Sequence, residues 1–571
     1  MPMSQIEQYK VHFLIIGYES DSQMSYIQQQ QATKTADRRV VLPHNRVEIE
    51  SIERGIPCMR AIKRTVSLMF AMLLVVGLLA ACSGKNNGSE SGNGGESPTK
   101  TPETNAGGDK ANADPYTVKI VFVGPATDEA VKEVAEAATA ITKPKFNTTI
   151  EMIRLDYGAF QEQVNLMLSS GEKFDLMPNF AFNTPTAANN GQILELDELL
   201  TNYGQDMLEQ ISNEDWLCVT IGGKIYAVPN NKEKAQGYGI AMDTEILEAV
   251  GYDVAQIKSQ DDLEQLFKQV KEKYPNVHPL VSDNGHMGQM PVMKDDLGYD
   301  FGVLENALDA DNMTVVNWFE TETYKQQVEF RYKLAQQGLI MPDASTNTES
   351  AGSLIGAGKG FAAFTNTKPG IDAEWQRKTG KKMTVVELVQ PFTTTSGVSN
   401  QWYIPHSSEK PARAMEVLNE MYVNPALADI LVNGIEGKHY IKDESAGVLK
   451  HPEGIDAANT TYSSVAWAWL NELITTPWEA DGADIWKDTT AFNESALASA
   501  AKGFMWNNSD VLNEITASNN VLAKYNSALE GGSLDPETTL PRFIQELKEA
   551  GVQKIVEAKQ QQLDAWLAEK E

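Results

Sequence analysis

The sequence predicts an α/β protein in which short parallel strands alternate with helices that cover both faces of a sheet. Residues 117–123 (TVKIVFV) form a β-branched apolar run before Gly124-Pro125, which is typical of a buried strand. Apolar residues then recur at the helical positions 131, 134, 135 and 138, and strand patterns follow at 149–155 and 174–177. Strands that alternate with helices favour a parallel sheet, and ligands bind at the carboxyl ends of such strands.

Later helices are predicted from their end signals. Ser259 and Asp262 form a start that resembles a capping box, and an apolar stripe follows it over residues 263–270. Pro411 occupies the first-turn position of another helix, where proline is favoured. The pattern is α/β to about residue 440 and mostly helical beyond, ending in a helical stretch from Pro541 onward.

Composition excludes several functional classes. The chain has 571 residues, of which 42% are hydrophobic and 22% charged, so a large core can be buried. Its 48 Lys+Arg and 78 Asp+Glu give a net charge of −30, which argues against nucleic acid as a partner because phosphate binding needs clustered basic residues. Cys58, Cys82 and Cys218 are too few for a disulfide framework or a zinc ribbon.

Residues 59–81 are typical of a secretory signal peptide. The basic stretch MRAIKR is followed by the uncharged run 65–81, which ends in Leu79-Ala80-Ala81-Cys82. That tetrapeptide resembles the bacterial lipobox, in which the cysteine is acylated and becomes the first residue of the mature protein. The alternative is a transmembrane helix, for which the run is slightly short of the roughly 20 apolar residues required. We therefore expect lipidation at Cys82.

The regions on either side of the signal have different interpretations. Residues 1–58 precede it without a sustained helical or strand pattern, so we expect translation to begin at Met59; a cytoplasmic domain is the alternative. Residues 82–115 consist almost entirely of small, polar and proline residues, and they predict a disordered tether between a lipid anchor and the folded body. This arrangement favours a protein that works outside the membrane and close to it.

Four motifs in order carry a family resemblance. They are the run 171–176 (GEKFDL), the run 193–200 (ILELDELL), the run 223–229 (GKIYAVP) and the run 358–364 (GKGFAAF). In order and spacing they resemble extracellular solute-binding protein family 1, the receptors of ATP-binding-cassette (ABC) importers, across about 116–440. The C-terminal part, with Trp467, Trp469 and the final helices, is similar to the lipoprotein branch of the family in Gram-positive bacteria.

The resemblance implies a periplasmic-binding-protein type II fold, with two lobes, a hinge and a cleft between the lobes. Lobe 1 would comprise 116–229 and 397–450, and lobe 2 would comprise 230–396 and 451–571 with its helical C-terminal part. The implied function is capture of a solute, chiefly an oligosaccharide, and its delivery to the importer's permease. The implied protein is a lipid-anchored monomer on the extracellular face of the membrane, without enzymatic activity or cofactor.

A sugar site needs flat aromatic faces for the apolar face of a pyranose and fixed polar groups for its hydroxyls. The polar candidates lie in motif loops and at the crossover between lobes, and the aromatic candidates lie nearby. The ligand-binding candidates are Asn179, Phe182, Asn183, Asn230, Asn231, Asn366, Trp402, Tyr403, Trp467 and Trp469. Because Trp402 and Asn230 are close to the expected hinge, we expect Trp402 to stack on a sugar ring while Asn230 and Asn179 bind its hydroxyls. The alternatives are core packing for the aromatics and turn formation for the asparagines.

Other kinds of site are poorly supported. Gly358-Lys359 lacks the remainder of a phosphate loop, and the acidic stretch 309–320 lacks the glycine of an EF-hand at its sixth position. The stretch 274–280 lacks the carboxylates with which some relatives bind calcium, so we expect no metal. A glycosidase carboxylate pair and a purely structural surface lipoprotein remain the alternative functions.

Overall fold

The computed structural model describes residues 114–570 except Ala181, Gln289, Asp300 and Ser399. The predictions for residues 1–58, for the signal peptide 59–81, for Cys82 and for most of the 82–115 tether therefore lie outside the described residues. Within the described part of the chain, none of the helices has both the length and the apolar character needed to span a bilayer.

The first stretch of the body confirms the predicted alternation of strands and helices. Its strands are β1 (Tyr116–Val123), β2 (Thr148–Leu155), β3 (Met177–Pro178), β4 (Thr220–Ile221) and β5 (Lys224–Ile225). Its helices are α1 (Asp128–Phe146), α2 (Phe160–Ser170), α3 (Thr184–Asn189), α4 (Asp197–Tyr203), α5 (Gln205–Gln210) and α6 (Asn213–Leu217). Strands β1 and β2 pair in parallel, and a bridge between Ile120 and Leu176 continues the sheet toward β3. The predicted apolar stripe of α1 is buried against this sheet.

The second stretch contributes four strands to a five-stranded sheet, which differs from the expected all-parallel arrangement. It contains β6 (Gln236–Asp243), β7 (His278–Leu280), β8 (Gly360–Thr367) and β9 (Met383–Thr393), with α7 (Thr244–Val250), α8 (Gln260–Lys273), α9 (Glu322–Gln336), α10 (Ala351–Gly356) and α11 (Ile371–Thr379). Strand β6 lies between β8 and β9 and runs antiparallel to both. Because the long stretch 244–359 separates β6 from β8, their connection is no simple strand–helix–strand crossover, and periodicity alone could not reveal its direction.

The chain then returns to the first sheet. This third stretch contains β10 (Trp402–Tyr403), α12 (Pro411–Val423), α13 (Pro425–Asn433), β11 (Ile441–Asp443) and β12 (Val448–Lys450). Strand β10 pairs antiparallel with β3, and Trp402 also bridges Val228. Pro411 stands in the first turn of α12, as predicted.

Two large cores define the lobes. One core joins residues between 118 and 228 with residues between 402 and 470, and we call the chain around it the first lobe. The other lies within 240–383, and we call the chain around it the second lobe. Tyr462 and Trp469 belong to the first core, although the predicted boundary assigned them to lobe 2. The reason is that Tyr462 bridges Ala126 beyond the end of β1 and draws this segment onto the first sheet. The other predicted boundaries stay predictions.

The C-terminal helical region packs with the second lobe. It contains α14 (Ile485–Ser495), β13 (Leu497–Ala498), α15 (Leu512–Glu530), α16 (Pro536–Ala550) and α17 (Val552–Ala568). Strand β13 adds to the edge of β9, and α15 and α16 pack against α9. Two smaller cores combine side chains of this region with side chains between 297 and 328, so the region and the second lobe are built together.

A buried ammonium group ties the loop 295–302 to the last helix. Lys559 of α17 is 0% exposed. Its Nζ donates hydrogen bonds to the carbonyl oxygens of Phe301 at 2.6 Å and Gly302 at 3.0 Å, and to two further carbonyls of the same loop. Because a buried ammonium must keep its hydrogen bonds, the loop and α17 form one unit.

Candidate functional site

Three of the predicted aromatic ligands are core residues. Trp402 is 1% exposed and Tyr403 is 0% exposed, and Trp469 is buried beside them. The Trp402 and Trp469 rings stack with centroids 5.5 Å apart, and the Trp402 indole N–H donates to the Ala468 carbonyl at 2.9 Å. The expected stacking of Trp402 on a sugar ring is therefore wrong for this structure, because pairing of β10 with β3 directs its side chain into the core.

The side chains of Asn179 and Asn183 are engaged in hydrogen bonds within the protein. The Asn179 side-chain oxygen accepts from the backbone N–H of Phe182 at 2.9 Å, and its amide donates to the Tyr403 hydroxyl at 2.6 Å. Asn183 caps the start of α3 by accepting from the Thr186 N–H at 3.0 Å. Both side chains hold turns after β3, and the expectation that Asn179 binds sugar hydroxyls is not supported by this geometry.

We call the segment 229–235, which leads from the first lobe to β6, the outgoing crossover. Asn230 and Asn231 attach this segment to the first lobe. Asn230 is 1% exposed, and its side-chain amide donates to the Trp467 carbonyl at 3.0 Å. Its side-chain oxygen is buried without a hydrogen-bond partner among the described residues. The Asn231 side-chain amide donates to Asn471 at 3.0 Å. Asn230 is thus beneath Trp467 and not on an open surface, which corrects its expected direct role.

An aromatic patch remains partly exposed at the carboxyl ends of the first-lobe strands. We define it as Tyr157, Phe180, Phe182 and Trp467. Tyr157 and Trp467 both meet the buried Phe180 ring edge to face, with centroids 5.6 and 5.7 Å apart, while Phe182 packs in the same manner on Phe160 at 6.4 Å. Tyr157, Phe182 and Trp467 are half-buried, so each of these residues keeps some exposed surface. This is the arrangement needed to receive the apolar face of a sugar.

Two members of this patch, Phe182 and Trp467, were predicted from the sequence, whereas Tyr157 and Phe180 were not. The available signal was position, because Tyr157 comes just after β2, where side chains reach the ligand-binding edge of the sheet.

The second lobe contributes one predicted polar residue. Asn366 is half-buried near the end of β8, directly opposite Tyr238 of β6, so the two side chains share a face of the sheet. The Tyr238 ring packs on Phe392 with centroids 6.2 Å apart, and burial raises the pKa of its phenol. Tyr238 therefore remains neutral, and Asn366 provides a donor and an acceptor beside it.

Charged groups from both lobes meet around the outgoing crossover. Lys232 Nζ lies 3.5 Å from Glu233, and Lys368 Nζ lies 3.5 Å from Glu374. Burial alone would raise the pKa of Glu374, but Lys368 and Lys378 lower it to about 2. Burial would also raise the pKa of Glu233, but the positive charges of Lys232 and Lys368 lower that pKa below its usual range.

Glu472 behaves in the opposite way. Burial, followed by repulsion from the Glu233 carboxylate, raises the pKa of Glu472 above its usual range. The backbone N–H of Glu472 donates to the Asn231 carbonyl at 2.9 Å, so the residue that carries this carboxyl is attached to the crossover. No group of three or more potential metal ligands occurs within the part of the chain that the structure describes.

The family follows from comparison with known proteins. A family model described as bacterial extracellular solute-binding protein matches residues 124–427. The chain belongs to this family. A second model, described only as a domain of unknown function, matches residues 500–568, which lie in the C-terminal helical region. The predicted family and the predicted role as an extracellular solute-binding protein are confirmed.

Individual relatives agree with this assignment. The chain is 26% identical over 477 residues to a carbohydrate ABC transporter substrate-binding protein of Streptococcus pneumoniae serotype 4, covering 80% of this chain and 92% of the relative. The crystal structure of an N-glycan transport solute-binding protein from Streptococcus pneumoniae matches with a TM-score of 0.69 at 24% identity, covering 80% of this chain and 100% of that chain. A human-milk-oligosaccharide-binding protein from Bifidobacterium longum infantis matches with a TM-score of 0.57 at 16% identity, covering 80% and 99%. The predicted type II periplasmic-binding fold is confirmed.

The buried position of Trp402 predicts a stability effect. We expect Trp402→Ala to lower the free energy of unfolding by about 3–5 kcal/mol, because it removes a large core ring and leaves a cavity. Urea denaturation measures this, with Trp467→Ala as the control, since a half-buried indole loses less packing. An unchanged denaturation midpoint for Trp402→Ala would contradict its core position.

The raised pKa of Glu472 predicts a pH dependence of stability. A carboxyl with a higher pKa in the folded state holds more protons there, so folded-state stability falls as pH rises above the ordinary carboxyl value of about 4.3 and levels off above the folded pKa. We expect Glu472→Gln to reduce this fall. Urea midpoints between pH 5 and pH 8 measure it, and Glu479→Gln, which alters an exposed carboxylate, should keep the original slope. Identical slopes in all three proteins would refute the assignment.

Proposed function

We propose that this solute-binding protein captures an oligosaccharide outside the cell and delivers it to the permease of an ABC importer. The observation that carries the proposal is the match, over 92% of the relative's length, to a substrate-binding protein of a carbohydrate ABC transporter. The aromatic patch supports the same ligand class, because half-buried rings at the carboxyl ends of strands suit a sugar better than a charged solute.

The two lobes would contribute different chemistry. Trp467, Tyr157 and Phe182 present apolar ring surface from the first lobe, and Asn366 presents an amide from the second. Closure would then place C–H groups of the sugar against the rings and hydroxyls against the amide. These rings and this amide carry no charge, which fits an uncharged oligosaccharide.

The proposal includes a lipid anchor at Cys82. The apolar run ending in a lipobox and the small polar residues of 82–115 support a lipidated monomer on the extracellular face of the membrane. We expect mass spectrometry of membrane extracts to find a mature N-terminus at Cys82 carrying acyl chains. Cys82→Ala should abolish that species; an unmodified, uncleaved chain in wild-type extracts would refute the anchor.

A binding assay separates capture from catalysis. Proteins of similar fold have been crystallised with Man1GlcNAc, Man5GlcNAc and kestose, and these sugars make a starting panel. Calorimetry should show saturable binding of an oligosaccharide that chromatography recovers intact. Cleavage products would instead indicate a glycosidase, and the absence of binding to any oligosaccharide in a broadened panel would refute the proposal.

Replacement of Trp467 tests the proposed site. We expect Trp467→Ala to weaken binding of the bound oligosaccharide by about 5- to 150-fold, the equivalent of about 1–3 kcal/mol for stacking on an aromatic side chain, a range borrowed from nucleobases. Calorimetry measures the affinity. The matched control is Trp478→Ala, which removes a half-buried indole that packs on His451 and donates to Asn433. Equal losses in both variants would contradict a specific role for Trp467.

A further inference from the structure

The loop 499–508 belongs structurally to the second lobe. It follows β13, whose Leu497 pairs with Phe392 of β9, and the Ser499 N–H donates to the Thr393 carbonyl at 2.8 Å. Its other end is fixed to α17, where Gln562 exchanges hydrogen bonds with the backbone of Asn507 at 3.0 and 2.8 Å. The loop therefore moves with the second lobe and the C-terminal helical region.

The same loop is hydrogen-bonded to α3 of the first lobe. The Asn183 side-chain amide donates to the Trp506 carbonyl at 2.7 Å. The Thr186 hydroxyl lies 3.2 Å from the side-chain oxygens of both Asn507 and Asn508. These contacts link α3 of the first lobe to the loop, so a lobe rotation that separates the loop from α3 breaks them.

A buried charge cluster provides a second link. Asp215, in the first lobe's short helix α6, is 3% exposed. Its carboxylate lies 2.7 Å from Lys234 Nζ, in the outgoing crossover, and 3.7 Å from Lys502 Nζ, in the loop. Lys502 also donates to Glu214 at 3.2 Å. Away from bulk water these attractions are weakly screened, so they favour the arrangement in which loop, crossover and first lobe meet.

The loop also contacts the returning crossover, which is the segment between β9 and β10. The Gly503 N–H donates to the Thr395 hydroxyl at 2.8 Å. The loop is thus linked to the first lobe and to two of the three covalent connections between the lobes.

We propose that the loop 499–508 is a latch that holds the lobes together and sets the lifetime of the ligand complex, with Asp215, Lys502, Asn183 and Thr186 as its positioning residues. This proposal rests on the proposed function for its ligand. It also gives a role to the C-terminal region that matches a domain of unknown function: the region carries the second-lobe half of the latch. A contact made only while the lobes are together stabilises that state alone, and so slows opening.

The test combines Lys502→Met with Thr186→Val. Thr186→Val removes the hydroxyl but keeps the backbone N–H that Asn183 caps, so α3 retains its start. The matched control is Lys524→Met, whose ion pair with Glu546 lies wholly within the C-terminal helical region. Lys502→Arg keeps the positive charge and should restore wild-type behaviour.

Two readouts separate the latch from the proposed function. Without ligand, small-angle scattering should give a larger radius of gyration for the double variant than for wild type, Lys524→Met or Lys502→Arg. With Man5GlcNAc, or whichever panel sugar the wild type binds, stopped-flow kinetics should show release about tenfold faster and association unchanged, as expected for the loss of one or two hydrogen bonds.

The outcomes are distinct. A wild-type protein that binds no sugar refutes the proposed function, while the scattering comparison still decides the latch. A double variant whose radius of gyration matches that of wild type overturns the latch, as does an unchanged release rate. Equal melting temperatures of the variants show that any change in release does not arise from unfolding.

Discussion

The antiparallel pairing of β10 with β3 on one side and with Val228 on the other fixes where the two lobes are joined. Trp402 and Val228 exchange backbone hydrogen bonds at 2.9 Å in both directions, so the chain that leaves the first lobe lies beside the chain that returns to it. Trp469, from a third stretch, stacks on Trp402. Because all three stretches are anchored in one core, relative motion of the lobes is confined to the segments beyond Val228, before Trp402 and beyond Leu470.

Features that depend on neighbouring residues could be predicted from the sequence. The Ser259 hydroxyl accepts from the Asp262 N–H at 3.3 Å, and Asp262 in turn accepts from Ser259 at 2.7 Å, so the start of α8 is set within four residues. The first two strands and α1 have the same local character. Trp402 was placed wrongly because its burial depends on pairing with Pro178, more than two hundred positions earlier, and residue type does not encode that pairing.

The candidate site shows the same division. Asparagines in loops form turns and caps through their own neighbouring backbone, and Asn179 and Asn183 do so here. Trp467 and Trp469 could not share a face two positions apart, as the sequence indicated, and one is half-buried while the other is in the core. Which of the two remained accessible depends on two ring neighbours that are distant in sequence, Phe122 of β1 and Phe180 just after β3. Tyr157 follows the strand predicted at 149–155, so its position after that strand was a signal that the sequence offered.

The polar character of the contacts between the lobes follows from the need to open. An apolar interface of the same size would expose hydrophobic surface whenever the lobes separated, which favours aggregation or permanent closure. The contacts of the loop 499–508 are amides, a hydroxyl and ammonium–carboxylate pairs, and water can replace each of them. Since an exchanged hydrogen bond contributes only about 0.5–1.5 kcal/mol net, a few such contacts keep the two states within a few kcal/mol of each other. That range is what a receptor requires if it is to retain a ligand and still release it.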